Sequence, residues 1–329
     1  MQKVILAGVE HSRLSFGVYS LTGMYGEVSE AEAIKVLRGA YKLGINSFDT
    51  ADVYGRGRGE TLLVKALGTM GDVRVATKVG YDFYSEGHPK RRYDLDYLWE
   101  ALRRSLRRLG RSSVDILYLH NPPIEVLRGR TAYEFLKRAR REGLARMAGV
   151  ALGPETDIAE EALEALNHSE VEVLQFVYNM LEQEPGYTIA RWSRKHGVST
   201  VARVPHAGGV LDESVSPEDV KSISDHRSLR RAGWYDWAFR TYLKMKDEVL
   251  DRLPGTPGQK AISFIFSSAP IDIIVVISNE LSRLEEYVGR ESFEIMPPSA
   301  VRRIREIYLE EVESSPEAPL KSLRLSGVA

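Results

Sequence analysis

The chain of 329 residues contains no cysteine. That absence excludes disulfides, thiolate nucleophiles and cysteine-ligated metals, and it suits an intracellular protein. Histidine is sparse as well: seven residues, scattered rather than spaced as ligands, so no metal site is expected. Long hydrophobic runs are missing. The longest, IDIIVVI at 271–277, suits one buried strand and falls far short of a membrane span. The apolar run in the opening MQKVILAGVE is too short for a signal peptide, and a cytoplasmic location is expected. Excess charge of one sign is missing too. A formal net charge of -1 gives no pull toward nucleic acid or an anionic membrane, so neither is expected as a partner. The basic run RRSLRRLGR at 103–111 reads as the solvated face of a helix, because Leu102, Leu106 and Leu109 supply an apolar stripe at helical spacing. Neither a P-loop nor a G-x-S-x-G elbow occurs, and no G-x-G-x-x-G opens the first helix.

What the chain does contain is a regular alternation. Short apolar segments rich in β-branched residues occur at 13–20, 45–50, 73–78, 114–120, 146–152, 171–176, 198–204 and 272–278. Between and after them, helical periodicity covers 29–43, 58–69, 94–109, 131–142, 156–166, 186–196 and 258–268. Near-continuous apolar strands alternating with helices mean a parallel sheet covered on both faces. Eight such units in a chain of this length predict an α/β fold, a (β/α)8 TIM barrel with parallel strands and extra loops at its C-terminal face. Residues 1–315 are expected to form this single domain and 316–329 a tail. Ser29 followed by Glu32 predicts a capping box, and Gly44 and Gly197 stand where helices end. Insertions at 79–93 and 205–257 fall on the loop face, where such segments often shape a pocket. An extra amphipathic helix is expected over 297–313.

In such a barrel the strand ends carry the chemistry. The second strand ends on Asp49, the third on Lys78 and the fourth on His120; Tyr54 follows Asp49 by five residues, and Gln175 lies near the end of the sixth. A tyrosine titrates near about 10, too high for easy proton exchange at neutral pH. A neighbouring ammonium stabilises the phenolate, an aspartate keeps that ammonium charged, and a histidine can orient a carbonyl. The set therefore suggests a tunable tyrosine acid facing a carbonyl. Carbonyl reduction without a metal needs a hydride donor, which no side chain supplies, so a nicotinamide cofactor is implied.

These residues sit in stretches that resemble the aldo-keto reductases over roughly 13–290: FDTADVYGRGRGETLLVKAL, VATKVG, ALRRSLRRLGRSSVDILYLHNP, VLQFVYNMLE and RLEEYVG. The resemblance is to a divergent, sugar-dehydrogenase-like branch. It implies a (β/α)8 barrel that binds NADPH or NADH, and a catalytic tetrad of Asp49, Tyr54, Lys78 and His120. Tyr54 would donate the proton, Lys78 paired with Asp49 would lower its pKa, and His120 would orient the carbonyl. It also implies cofactor contacts at Gly17, Gln175, Arg203, Ser278, Arg283 and Glu286. Arg283 favours NADP(H) over NAD(H), since a guanidinium binds phosphate bidentately.

The same resemblance exposes departures. Ala151 and Leu152 replace the Ser-Asn that holds the carboxamide, and Arg203 replaces an aromatic that stacks on the nicotinamide. Ile277 replaces a lysine and Tyr287 an asparagine. Three readings follow. The chain is an NAD(P)(H)-dependent oxidoreductase of a small aldehyde, ketone or sugar, or a nucleotide-binding sensor or partner module with poor turnover, or a barrel lyase or isomerase using Tyr54 or His120 as base. Tyr19, Phe83, Tyr84, Trp234 and Trp237 are candidates for the pocket wall, with core packing an equal expectation for each.

Overall fold

The computed structural model describes residues 1–84, 87–153, 158–230 and 233–315. Eight parallel strands close into a barrel: β1 (Leu14–Gly17), β2 (Ser47–Asp49), β3 (Arg74–Val79), β4 (Val114–His120), β5 (Ala145–Ala151), β6 (Val173–Val177), β7 (Ser199–Arg203) and β8 (Ile273–Val276). Neighbours in sequence are neighbours in the sheet, and β8 pairs with β1. This is the expected (β/α)8 architecture. The helices after β1 to β6 are α1 (Glu30–Lys42), α2 (Arg58–Leu67), α3 (Leu95–Leu109), α4 (Thr131–Arg141), α5 (Ala159–Leu166) and α6 (Gly186–Lys195). Those after β7 and β8 are α7 (Pro257–Ser268) and α8 (Leu281–Tyr287). The expected tail at 316–329 lies outside the described residues, as do 154–157, where the helix expected at 156–166 was to begin. Among the described residues no helix is long and apolar enough to cross a membrane.

Local signals set the helix ends. The Ser29 side chain accepts from the Glu32 amide while Glu32 reaches back to the Ser29 amide, so the predicted capping box forms. Thr256 and Gln259 repeat the device at α7. Gly44 and Gly197 end α1 and α6 at φ 89 and 70, a left-handed turn that disfavours side chains.

One element had no counterpart among the expected strands. Lys3–Leu6 and Val9–Ser12 form an antiparallel hairpin through Ala7 and Gly8, both at positive φ. Positive φ at both turn residues gives the twist that tight hairpins need. The hairpin delivers Leu6 against the interior side chains Ile116, Tyr118, Met147, Val173, Val201 and Ile273. The first strand is also shorter than the expected 13–20, because Val18–Thr22 turns into a 3-10 helix.

Period-two alternation decides what points inward. Ser47, Ala76, Tyr118, Val173, Val201 and Ile273 line the barrel interior. Two residues further along their strands stand Asp49, Lys78, His120, Gln175, Arg203 and Val275. The uppermost interior layer is therefore largely polar, over an apolar stack.

The insertion at 205–257 carries a helix, Trp234–Glu248, that packs on the final helix Pro298–Ser314. Trp234 and Trp237 are buried, and the Trp237 indole donates to the Glu311 carbonyl at 3.3 Å and lies edge-on to Tyr308. Both tryptophans are packing residues, as is the buried Phe83, whereas Tyr84 is exposed.

Candidate active site

The floor of the barrel mouth is built around a buried ion pair. Lys78 Nζ donates to Asp49 Oδ1 at 2.5 Å and to the Thr50 carbonyl at 2.9 Å. Adjacent strands place them: Asp49 closes β2 and Lys78 stands in β3. Gln175 Nε2 reaches from β6, across the barrel, to the other carboxylate oxygen at 2.8 Å. Both Asp49 oxygens are thus satisfied, as a buried carboxylate requires. Burial pushes the Lys78 ammonium down and Asp49 pulls it up.

Tyr54 lies over this pair. Lys78 Nζ is 5.0 Å from the centre of the Tyr54 ring, facing it rather than bonded to its hydroxyl. The His120 ring stands edge-on to Tyr54 at 5.7 Å and to Tyr81 at 5.0 Å, and Tyr19 packs edge-on against Tyr54 at 4.8 Å. Burial drives the Tyr54 phenol well above its ordinary value; Asp49 adds to the rise and Arg203 opposes it. Burial likewise holds His120 well below the usual imidazole range, with Lys78 and Arg203 reinforcing it, so the ring is neutral at pH 7. Its Nδ1 is buried without a partner.

The loop carrying Tyr54 is held from beneath. Glu60 of α2, fully buried, accepts from Thr77 Oγ1 and from Arg108 Nε, both at 2.6 Å. The solvated-face reading of 103–111 holds for the buried Leu102, Leu106 and Leu109 stripe and for the exposed Arg103 and Arg107, whereas Arg108 turns inward to anchor α2. Glu60 and Arg108 were missed as positioning residues. Their pairing, 48 positions apart, leaves no local signal. Asp52 is fully buried and is driven well above the usual carboxylate range by burial and by Glu60.

The residues expected at a cofactor fall into two groups. Gly17 is the cross-strand partner of Asp49; a methyl there would meet Ile277 Cγ2 at 2.7 Å and Val275 Cγ1 at 2.9 Å. Gln175 donates its Nε2 to Asp49, a bond in which its Oε1 takes no part. Arg203 donates from Nη2 to the Leu152 carbonyl at 2.8 Å, and its Nε is buried without a partner. Val204, next to it, sits at φ 60. A β-branched residue in that region carries strain of about 1–3 kcal/mol, and such strain clusters at functional sites. The other group lies around α8. Ser278 Oγ caps its own loop against Glu280, and Arg283 Nη1 meets the Asp212 carbonyl at 3.2 Å and Glu286 at 3.4 Å. Glu286 also accepts from Thr256 Oγ1. Tyr287 is packed rather than open: its hydroxyl donates to Asp212 at 2.5 Å and its ring stacks on His206 at 4.2 Å.

These donor sets fit a nicotinamide dinucleotide. An orphaned guanidinium Nε, an orphaned imidazole nitrogen and the buried, unpartnered Asn279 Oδ1 call for polar groups that the protein does not supply. A half-exposed guanidinium at Arg283 suits an anion.

Comparison with known proteins agrees. The family model described as Aldo/keto reductase family matches residues 13–309. L-galactose dehydrogenase of Arabidopsis thaliana is 26% identical over 289 residues, 86% of this chain and 85% of the relative. A Schizosaccharomyces pombe relative whose name reads aldo-keto reductase yakc [NADP(+)] is 26% identical, covering 89% of this chain and 87% of its own length. Among solved structures, the glycerol dehydrogenase AKR11B4 from Gluconobacter oxydans superposes with a TM-score of 0.81 over 95% of this chain and 97% of its own, at 18% identity, a likeness of fold. The family match spans nearly the whole chain, and its eight-stranded barrel carries the expected side chains at the strand ends. The chain belongs to the aldo/keto reductase family and is an NAD(P)-dependent oxidoreductase of that type.

Proposed function

We propose that the protein interconverts a carbonyl and an alcohol on a small aldehyde, ketone or sugar, with Tyr54 as the acid and base and NADP(H) preferred over NAD(H). The observation that carries this reading is the single floor on which Lys78, neutralised by Asp49 at 2.5 Å, faces the Tyr54 ring with His120 at its edge.

The protonation states favour reduction at neutral pH. Tyr54, driven upward by burial, keeps its proton and can deliver it to a carbonyl oxygen. Neutral His120 can donate a hydrogen bond to the same oxygen without adding a charge. As the proton leaves, the phenolate is met by Lys78 under its ring and by the charge of Arg203. A reduced nicotinamide held there would supply the hydride to the carbonyl carbon. Tyr54 gives its proton to the carbonyl oxygen and is reprotonated from water. Gly17, Gln175 and Arg203 would hold the nicotinamide end, and Ser278, Arg283 and Glu286 the adenosine end. Arg283 is the reason to favour the 2′-phosphate, which its remaining donors suit.

Tryptophan-fluorescence titration with NADPH and NADH, followed by an aldehyde panel, tests the reading. NADPH is expected to bind at least about tenfold tighter than NADH, and Arg283→Ala to remove the difference. Failure of both nucleotides to bind at millimolar concentration would overturn it; equal affinities would overturn the preference alone.

A further inference from the structure

The barrel mouth holds a second tyrosine hydroxyl that the chemistry proposed above does not use. Just beyond β3, Tyr81 and Asp82 pair with Arg91 and Lys90 in a short antiparallel ribbon. The half-buried Tyr81 ring and the Tyr54 ring both meet His120 edge-on, at 5.0 and 5.7 Å. The two phenols thus border one imidazole, and Tyr81 bears electrostatically on Tyr54.

The Tyr81 hydroxyl is held only through its oxygen. Asn121 Nδ2 donates to it at 3.2 Å and Arg91 Nε at 3.4 Å. Both partners are donors, so neither takes the Tyr81 proton, and among the described residues that proton meets no acceptor. The backbone around the contact is pinned. Asn121, next to His120, takes φ 51, a left-handed conformation that asparagine tolerates better than most residues, and its amide donates to the Ala151 carbonyl at 2.8 Å. The Tyr97 hydroxyl donates to the Tyr81 carbonyl at 2.5 Å, and the Tyr93 hydroxyl to the His120 carbonyl at 2.6 Å. The phenol is therefore fixed before any reactant arrives, with its proton left over.

We propose that Tyr81 is a further substrate-contacting residue, whose hydroxyl donates to a second oxygen of the substrate, one close to the carbonyl that is reduced. The reacting oxygen has two lone pairs, and Tyr54 and His120 already offer it two donors, so a third donor serves another atom. Tyr81 is thereby a specificity determinant. A substrate with hydrocarbon at that place displaces water from the Tyr81 hydroxyl and returns no acceptor, whereas one with oxygen there restores the bond. Asn121 acts through Tyr81 and is a positioning residue. This inference rests on the carbonyl-reducing role proposed for Tyr54.

Substrate pairs that exchange a hydroxyl for a methyl test it. With saturating NADPH, kcat/KM is measured for glycolaldehyde against propanal and for 3-hydroxybenzaldehyde against 3-methylbenzaldehyde, and nucleotide affinity is measured for each variant. The readout is the change in each ratio between wild type and variant, which cancels the intrinsic reactivity of the aldehydes. Tyr81→Phe, which keeps the ring against His120, is expected to lower the ratio about tenfold in at least one pair. Asn121→Asp, which sets a proton acceptor where a donor stood, is expected to lower the same ratio. A Tyr81 that only supports the fold would depress both members of a pair alike. A second measurement needs no turnover: 3-hydroxybenzamide and 3-methylbenzamide are titrated into the enzyme–NADPH complex and followed by fluorescence. The advantage of the hydroxylated ligand is expected to be lost in Tyr81→Phe. Reduction with ratios that Tyr81→Phe leaves unchanged overturns the inference and leaves the reductase reading standing. A Tyr81-dependent binding advantage without reduction of any aldehyde overturns the reductase reading and leaves the contact standing. Absence of both overturns both.

Discussion

Gln175 and Asp49 lie on opposite sides of the barrel, 126 residues apart, yet the amide nitrogen of one is 2.8 Å from the carboxylate of the other. The bond supplies the second partner of a buried charge. Gln175→Leu removes it and leaves Asp49 Oδ2 unsatisfied, which is expected to cost about 1.5–3 kcal/mol. Urea denaturation reads the loss directly. A variant as stable as the wild type would mean that Asp49 draws nothing from this bond.

Tyr54→Phe keeps the ring that packs on Tyr19 and Lys78 and deletes the proton donor. Turnover is expected to fall about 10²–10⁴-fold with nucleotide affinity nearly unchanged. Equal loss of both would assign Tyr54 to binding.

The same hydroxyl sets a pH dependence. Reduction needs the protonated phenol, which is held well above its ordinary value, so reduction should show no falling limb from Tyr54 between pH 6 and 9. Oxidation needs the phenolate and should rise throughout that range. A reduction rate that collapses above neutrality would contradict the burial of this phenol.

His11 makes the lower end of the barrel acid-sensitive. It is almost fully buried, with Nδ1 3.2 Å from Ser47 Oγ, and burial lowers its pKa from 6.5 to about 4. Between those values the unfolded chain binds a proton that the fold does not. Its contribution is therefore complete above about pH 6.5 and is lost as pH falls through about 4, a span worth about 3 kcal/mol. Urea midpoints measured from pH 7.5 to 4.5 should fall less steeply for His11→Gln than for the wild type. Parallel slopes would remove His11 from the account.

Gly17 is constrained by contact. A Cβ would come within 2.7 Å of Ile277 and 2.9 Å of Val275, so Gly17→Ala should cost about 1–3 kcal/mol through overpacking. Ile277→Val, by removing atoms from the crowded side, should restore part of it. Thermal denaturation of the single and double variants checks the pair, and a Gly17→Ala protein of wild-type stability would refute the crowding.

The eight barrel strands were legible because parallel strands buried on both faces read as continuous apolar runs. Asp49, Lys78 and His120 were legible because the end of each run marks the barrel mouth. The N-terminal hairpin was not, since four-residue strands show too little alternation to separate from a loop. The bond from Gln175 to Asp49 was not legible either, since its two ends lie across the barrel and only closure of the sheet brings them together. Arg108 was hidden by its neighbours in a basic run, because helical periodicity says which face is polar, not which arginine finds a buried glutamate. Trp237 could line a pocket or a core, and the final helix decides for the core; Trp234 is buried beside Tyr235 and under the Arg230 guanidinium.

The hairpin also has a consequence for molecular traffic. With Leu6 seated among the inner side chains, the hairpin adds to the packed stack that lies beneath the floor of Asp49, Lys78 and Gln175. A reactant that rests on that floor is then expected to reach it from the loop face, so that what binds nearest the floor arrives first and departs last.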